Sequence, residues 1–350
     1  MMAKAGRFLY KVQDCPGIIA YAIRCFLFWA SGFYWLISIL RDLAFNYGLF
    51  KTQKMDVPVI SLGNITTGGT GKTPACIWLI QKLMAMKASM PVLISRGYGN
   101  DEIFIFRNAH PDTPHFVHPK RVIAGRKAIE KHGKNICLVL DDAFQHRYID
   151  RDLNIVLVDA TEPFGFGYLL PRGFLREPLS HLKRADFIII TKSDMVGKKQ
   201  LEQIQSQIFF YTKAPQAIAA HVPSCIHQLG KKEKYPVQTL QGLSVLAFSG
   251  IGNPESFVQS LEKNNINVLE KISFSDHHQY TENDKREILS LASELQAQGI
   301  ITTAKDAVKL KNWHSLPIPV WIWEIEFQIL EGEKDLLEKI RSVVEHRKNQ

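Results

Sequence analysis

The run Gly68-Gly69-Thr70-Gly71-Lys72-Thr73 carries the sharpest chemistry in this 350-residue chain. It follows the apolar segment VPVISL and precedes a helical stretch from Pro74 to Met86. A glycine-rich turn entering a helix aims backbone N–H groups at a phosphate, a lysine there reaches the terminal phosphates, and a threonine hydroxyl can ligate Mg²⁺. Thr66 and Thr67 open the loop, with Thr66 standing where the strict pattern has glycine. Residues 66–73 therefore read as a cradle for the phosphates of a nucleotide. A second element supports it, because the buried-strand pattern Ile136 to Leu140 ends in Asp141-Asp142. Carboxylates at the end of such a strand are where Mg²⁺ or its water is held, so Thr73, Asp141 and Asp142 are the candidate metal ligands. Asp159, also at the end of a strand-like run, is a weaker candidate.

Proton transfer needs a different group. Only five residues separate Asp101 from the end of the strand-like run Pro91 to Ser95, which keeps its carboxylate at the carboxyl edge of the sheet, where ligands of α/β folds bind. There it could take a proton from an attacking hydroxyl; the alternative is a cap on the apolar run EIFIF. In Asp276-His277-His278, Asp276 could orient an imidazole and fix its tautomer, although an isolated Asp-His pair is also common in solvated turns. Arg96 and Arg176 offer guanidinium forks suited to phosphate oxygens, with surface ion pairing as the bland alternative. Gln145 and His146 follow the Asp pair and could reach nucleotide or substrate, or serve in structural hydrogen bonds.

These residues need a scaffold, and the pattern between them supplies one. Short β-rich runs at 57–62, 91–95, 136–140, 155–158 and 187–191 alternate with helical stretches. Continuous apolar strands separated by helices predict a parallel sheet covered by helices on both faces, an α/β architecture of the P-loop NTPase kind. The polar stretch GKKEKY at 230–235 interrupts the pattern, after which a strand at 243–248, helices at 257–263 and 284–298 and a strand at 300–303 predict a smaller α/β unit. The expected division is 1–54 as an N-terminal helical segment, 55–229 as a P-loop core and 230–350 as a smaller C-terminal domain completing the site.

The N-terminal segment differs from the rest. Between Ile18 and Leu40 only Arg24 is charged, and the uncharged stretch from Cys25 to Leu40 is 16 residues, just under the ~17 to 25 that span a bilayer. Aromatic residues and flanking cations suit a helix lying in a membrane interface; a spanning helix and a buried core helix are the alternatives. Over the whole chain, 43 Lys and Arg against 34 Asp and Glu give a net charge of +9, which points to an anionic partner without naming it. A hydrophobic content of 46% excludes a disordered or collagen-like chain. Five scattered cysteines without a Cys-x-x-Cys pair fit a reducing compartment.

With these motifs in order the chain resembles the tetraacyldisaccharide 4'-kinase, or lipid A 4'-kinase, family. The resemblance runs from Ser61 through Pro74, then Ser95-Arg96-Gly97-Tyr98-Gly99, Asp141 to His146, Leu170-Pro171 with Leu175-Arg176-Glu177-Pro178, Gly250 to Pro254, Asp276-His277-His278 and Thr302 to Lys309. It implies transfer of the γ-phosphoryl group of ATP to the 4'-hydroxyl of a tetraacylated glucosamine disaccharide 1-phosphate, at the cytoplasmic face of the inner membrane, by a peripheral or monotopic enzyme. It also implies that Asp101, the nearest match to the Asp of the family's Gly-Asp-Glu-Pro block, works with His277, and that Lys72 serves catalysis. Arg96, Tyr98, Gln145, His146, Arg176 and Glu177 are the implied substrate contacts. The partners implied are the lipid-linked disaccharide and the membrane surface, with neither nucleic acid nor an obligate protein partner. A P-loop switch ATPase or GTPase at the membrane is the competing reading, but it has no use for the Asp-His and Thr-Thr-Ala-Lys-Asp-Ala-Val-Lys blocks.

Overall fold

A computed structural model describes residues 17–97, 105–107, 109–276, 278–310, 313 and 316–348. Tyr98, Asp101 and His277 lie outside the described residues. The chain forms two compact units, one built on 222–326 and the other on 17–97, 106–221 and 327–348.

The larger unit begins with helix α1 (Ile18–Asn46), followed by β1 (Val59–Asn64), α2 (Lys72–Met86), β2 (Met90–Ser95) and β3 (His115–Val117). Helix α3 (Arg121–His132), β4 (Ile136–Asp141), β5 (Leu153–Asp159), β6 (Phe187–Thr191) and α4 (Lys198–Tyr211) come next, leading into the long strand β7 (Gln216–Gln228). The strand order is β7-β6-β5-β1-β4-β2-β3, and every neighbouring pair is parallel. The central strands β1, β4, β5 and β6 bury both faces. Ile60, Leu62, Cys137, Val139, Ile155 and Leu157 pack beneath α2, while Val59, Val92, Leu138 and Leu140 pack against α3, and Val156, Val158, Ile188 and Ile190 against α4. That two-sided burial is why these strands read as unbroken apolar runs rather than alternating ones. The sequence expectation of a P-loop NTPase-like parallel sheet with helices on both faces is what the larger unit displays.

The smaller unit contains β8 (Lys234–Tyr235), β9 (Ser244–Ser249), α5 (Pro254–Lys263), β10 (Asn267–Ser273), α6 (Glu282–Glu294), β11 (Gly299–Thr303), the single turn α7 (Ala304–Ala307) and most of β12 (Val320–Glu331). Its parallel order is β10-β9-β11-β12, with β8 antiparallel to the end of β7. Asn253 caps α5 by accepting from Ser256 N at 3.2 Å, and Thr281 with Asp284 forms a capping box on α6. The division between units falls within β7 and not at the polar stretch 230–235. Helix α8 (Glu333–Lys348), which ends the chain, belongs to the larger unit, where Leu336, Ile340 and Val344 pack beside α2. Arg347 Nε also donates to Asp152 Oδ1 at 2.8 Å. Composition marks the loop but cannot show which sheet the last helix will cover.

Helix α1 is built inside out. Its buried positions are Ala20, Ser31, Ser38, Asp42 and Phe45, so a mostly polar stripe at helical spacing faces the protein. Ser31 Oγ donates to Leu169 O at 2.9 Å, and Tyr34 OH donates to Arg176 O at 2.9 Å. The apolar side points away: Phe26 is 72% exposed and Trp29 77%. Only 11% of its most apolar 18-residue window is buried, which is not the burial of a soluble core helix.

Candidate active site

The phosphate loop leaves β1 at Asn64 and enters α2 at Lys72. Asn64 Nδ2 donates to Thr66 O at 2.7 Å and to Thr70 Oγ1 at 2.9 Å, closing the loop over the end of its own strand. The first half of the loop is extended. Thr66 makes an antiparallel bridge with Leu175, Thr67 N donates to Phe174 O at 2.7 Å, and Arg176 N donates to Ile65 O at 2.8 Å. Extended backbone explains why threonine can replace glycine at position 66. The left-handed backbone falls instead on Gly68 (φ +119°) and Gly71 (φ +82°), where only glycine is unstrained.

The Asp pair reaches the loop because β4 lies directly beside β1, with Leu62 in register with Asp141. Gly63 allows the following turn to close in, since a Cβ there would stand 2.6 Å from Phe144 N. Asp141 is buried; its Oδ1 lies 3.5 Å from Cys76 Sγ, and its backbone carbonyl accepts from Arg121 Nη2 at 3.2 Å. Asp142, with φ +47°, turns toward the lysine: Lys72 Nζ is 3.8 Å from its Oδ1, and Arg176 Nη1 lies 2.9 and 3.1 Å from its two oxygens. Burial pushes the Asp142 carboxyl up, but Lys72 and Arg176 outweigh it and hold it below the ordinary range.

The structure thus brings together residues 66–73, Asp141, Asp142, Gln145 and Arg176. Gln145 Nε2 donates to Asn64 O at 2.9 Å, tying the Asp turn to the loop. His146 sits behind it against Tyr148; burial, with Arg121, Arg151 and Arg96 nearby, pushes its imidazole down to about 4, so it is neutral near pH 7. Arg96 is exposed at the end of β2. In the smaller unit the loop flanking His277 is fixed on both sides, with Asp276 Oδ1 receiving Lys305 Nζ at 3.2 Å and His278 Nε2 lying 3.0 Å from Asp284 Oδ2.

One expectation is corrected. Glu177, read from the sequence as a substrate contact, is 1% exposed and enclosed by cations. Arg41 and Arg184 bond its two oxygens directly, and His181 Nδ1 is 3.4 Å from Oε2. His181 Nε2 in turn meets Asp42 Oδ2 at 3.0 Å, and Arg147 Nη1 meets Asp42 Oδ1 at 3.0 Å. Asp42, Glu177 and His181 stand at metal-ligand spacing, but the guanidinium groups already occupy the carboxylate oxygens. The cluster is an ion-pair lock that fastens α1 to the strand-like segment beside the phosphate loop. Sequence reasoning missed it because the adjacent Arg41 and Asp42 lie more than a hundred residues before Arg147, Glu177, His181 and Arg184 along the chain.

Comparison with known proteins gives a consistent picture. A family model described as "LpxK: Tetraacyldisaccharide-1-P 4'-kinase" matches residues 23–345. The tetraacyldisaccharide 4'-kinase of Halothermothrix orenii is 36% identical, across 88% of this chain and 89% of that protein. The corresponding enzyme of Syntrophus aciditrophicus is 35% identical, across 85% and 87%. Among solved structures, LpxK from Aquifex aeolicus in complex with ATP is similar with a TM-score of 0.71 at 28% identity, covering 92% of this chain and 99% of that one.

Proposed function

The chain belongs to the tetraacyldisaccharide 4'-kinase family, and from that premise we propose how its own residues carry the reaction. The activity is that of a tetraacyldisaccharide-1-phosphate 4'-kinase of lipid A biosynthesis, and the nucleotide is ATP. Its polyphosphate lies in the loop 66–73, against the N-terminus of α2, where the helix end and the backbone N–H groups favour negative charge. Lys72 neutralises charge on the transferring group, and the observation that carries this assignment is its approach to Asp142 at 3.8 Å, which joins the loop to the Asp pair.

Thr73, Asp141 and Asp142 offer the hard oxygen donors that Mg²⁺ prefers, on the first turn of α2 and at the end of the adjacent strand. When bound there, Mg²⁺ supplies charge neutralisation on the phosphates. Arg176 orients the Asp142 carboxylate and, with Arg96, offers a guanidinium to the anionic substrate; Gln145 stands beside them, and the matching blocks of the sequence support Tyr98 and His146 as further substrate contacts. Asp101 accepts the proton of the 4'-hydroxyl and His277 assists it, a reading supported by their matching blocks in the sequence.

The enzyme is held at the membrane by α1, lying in the interface with its apolar side in lipid and its polar stripe on the protein. That polar stripe, bonded at Ser31, Tyr34, Arg41 and Asp42, supports a monotopic arrangement over a spanning one. ATP as the nucleotide and the scattered cysteines, without a Cys-x-x-Cys pair, support a body on the cytoplasmic side. The direct test is a thin-layer assay with labelled ATP and the tetraacyl disaccharide 1-phosphate: label should move to the lipid only when both are present, and absence of a labelled lipid product would overturn the reading.

A further inference from the structure

The phosphate loop has a neighbour that no motif announces. His221, on β7, presses the Cε1–Nε2 edge of its imidazole against Gly71: a Cβ built on that glycine would stand 2.6 Å from each of the two atoms. Thr191 lies alongside, its Cγ2 at 3.8 Å from the same point and its Oγ1 donating to Thr70 O at 3.0 Å. The back of the ring rests near Phe327, with centroids 5.9 Å apart. Gly71 is the left-handed residue at the start of α2, so its position decides where the N–H groups of the first helical turn point.

Strand order gives this contact a direction. Asp141 and Asp142 arrive from β4, on one side of β1; Thr191 and His221 arrive from β6 and β7, beyond β5 on the other. Lys72 and the Asp pair mark the terminal-phosphate end of the loop, so His221 supports the opposite flank. His221 Nε2 is buried and has no hydrogen-bond partner among the described residues. Burial, with the Lys192 ammonium nearby, pushes the imidazole down to about 4, so it is uncharged at neutral pH and offers a lone pair or a C–H edge, not a cation, to the glycine. A polarised Cα–H of Gly71 is a weak partner for such an edge and is consistent with the close approach.

We propose that His221 is a positioning residue for ATP: its imidazole edge braces Gly71 and thereby fixes the turn that aims the phosphate loop at the polyphosphate. The inference rests on the ATP-site reading and adds a residue that touches the loop without touching the reacting atoms. A brace acts on every ligand held by the loop, whether or not it carries a base.

The test uses the full chain in detergent micelles, with His221→Ala and His221→Phe. Binding of ATP and of inorganic tripolyphosphate is measured by calorimetry, alongside turnover and thermal unfolding. His221→Ala should weaken both ligands alike, by about 10-fold, raise the KM for ATP to match, and leave kcat at saturating ATP within about 3-fold. His221→Phe, which restores a ring of similar thickness, should keep both affinities within about 3-fold of the parent. Parental affinity in His221→Ala would overturn the proposal, as would a fall in melting temperature with unchanged affinities. Loss of ATP but not tripolyphosphate in both variants would overturn it too, by showing a contact with the nucleoside. A parent chain that bound neither ligand would overturn the ATP site itself, and the brace with it.

Discussion

Arg176 holds Asp142 in a fork, one Nη1 atom at 2.9 and 3.1 Å from the two carboxylate oxygens, while Lys72 approaches the same carboxylate from the phosphate loop at 3.8 Å. One acid therefore sits between the cation proposed for phosphate and the cation proposed for substrate. Removing the lysine takes away charge that no other loop residue supplies. Lys72→Ala should lower kcat by about 10² to 10³-fold, and Asp142→Ala should show a loss that added Mg²⁺ partly restores. Labelled-phosphate transfer across a Mg²⁺ series checks both; near-normal turnover by Lys72→Ala would sink the assignment.

The acid–base pair is tested by a double-mutant cycle. Asp101→Ala and His277→Ala should each reduce kcat by about 10² to 10⁴-fold while ATP affinity holds. Because the two act on one proton, the double variant should be little worse than the worse single one. Strictly additive losses would remove the dyad, and wild-type-like turnover by Asp101→Ala would move the base elsewhere, with Asp142 next to be examined.

The ion-pair lock sets a pH window for the docking of α1. Burial pushes Asp42 and Glu177 up, but the His181 hydrogen bonds and the Arg184 guanidinium outweigh it, so both titrate below their ordinary values. Their contribution is present above the unfolded carboxylate range and is lost as pH falls through the folded values. His181 goes the other way: burial pulls it down, its bonds to Asp42 and Glu177 pull it up further, and the net shift is above 6.5. Its contribution is complete below the unfolded value and is lost as pH rises through the folded one. Thermal unfolding across pH should show a plateau falling on both flanks, and His181→Gln should flatten the alkaline flank and, by removing the bonds that hold Asp42 and Glu177 low, soften the acid flank as well. Glu177→Ala leaves Arg41 and Arg184 without their buried partner and should cost about 3 to 5 kcal/mol in unfolding free energy; a cost below about 1 kcal/mol would contradict the lock.

Membrane attachment is read from the outward face of α1. Burying an aromatic side chain contributes about 1.5 to 3 kcal/mol, so replacing Phe26, Trp29 and Phe33 together by serine should move the protein from the pellet to the supernatant in sedimentation with anionic vesicles. Alkaline carbonate should release much of the parent chain. Unchanged sedimentation of the triple variant, or resistance to carbonate, would count against an interfacial helix held by that face.

What the sequence disclosed depended on how local each signal was. The phosphate loop and Asp141-Asp142 were legible because each is a strand end followed by a turn, and parallel pairing of β1 with β4 brings such ends to one edge. Thr66 broke the glycine pattern without harm because its backbone is extended against Leu175, a pairing across more than a hundred residues that no local rule contains. Glu177 was misread for the same reason: its block marks it as a site neighbour, and only the fold shows Arg41 and Arg184 closing over it. The stripe Ser31, Tyr34, Ser38, Asp42 and Phe45 does follow helical spacing, but the surrounding apolar residues drown it when hydrophobicity is summed along the segment. His221 carries no local mark at all.

The bonds of α1 do more than attach it. Tyr34 ends on Arg176 and Arg41 on Glu177, and the residue just before them, Leu175, is bridged to Thr66 at the mouth of the phosphate loop. If the outward face of the helix lies in lipid as proposed, this short relay of backbone and side chain would set the height of the loop above the acyl chains. On that proposal the enzyme would work at a set depth, where a hydroxyl presented at that level meets the phosphoryl group and a soluble sugar bearing the same hydroxyl has nothing to hold it.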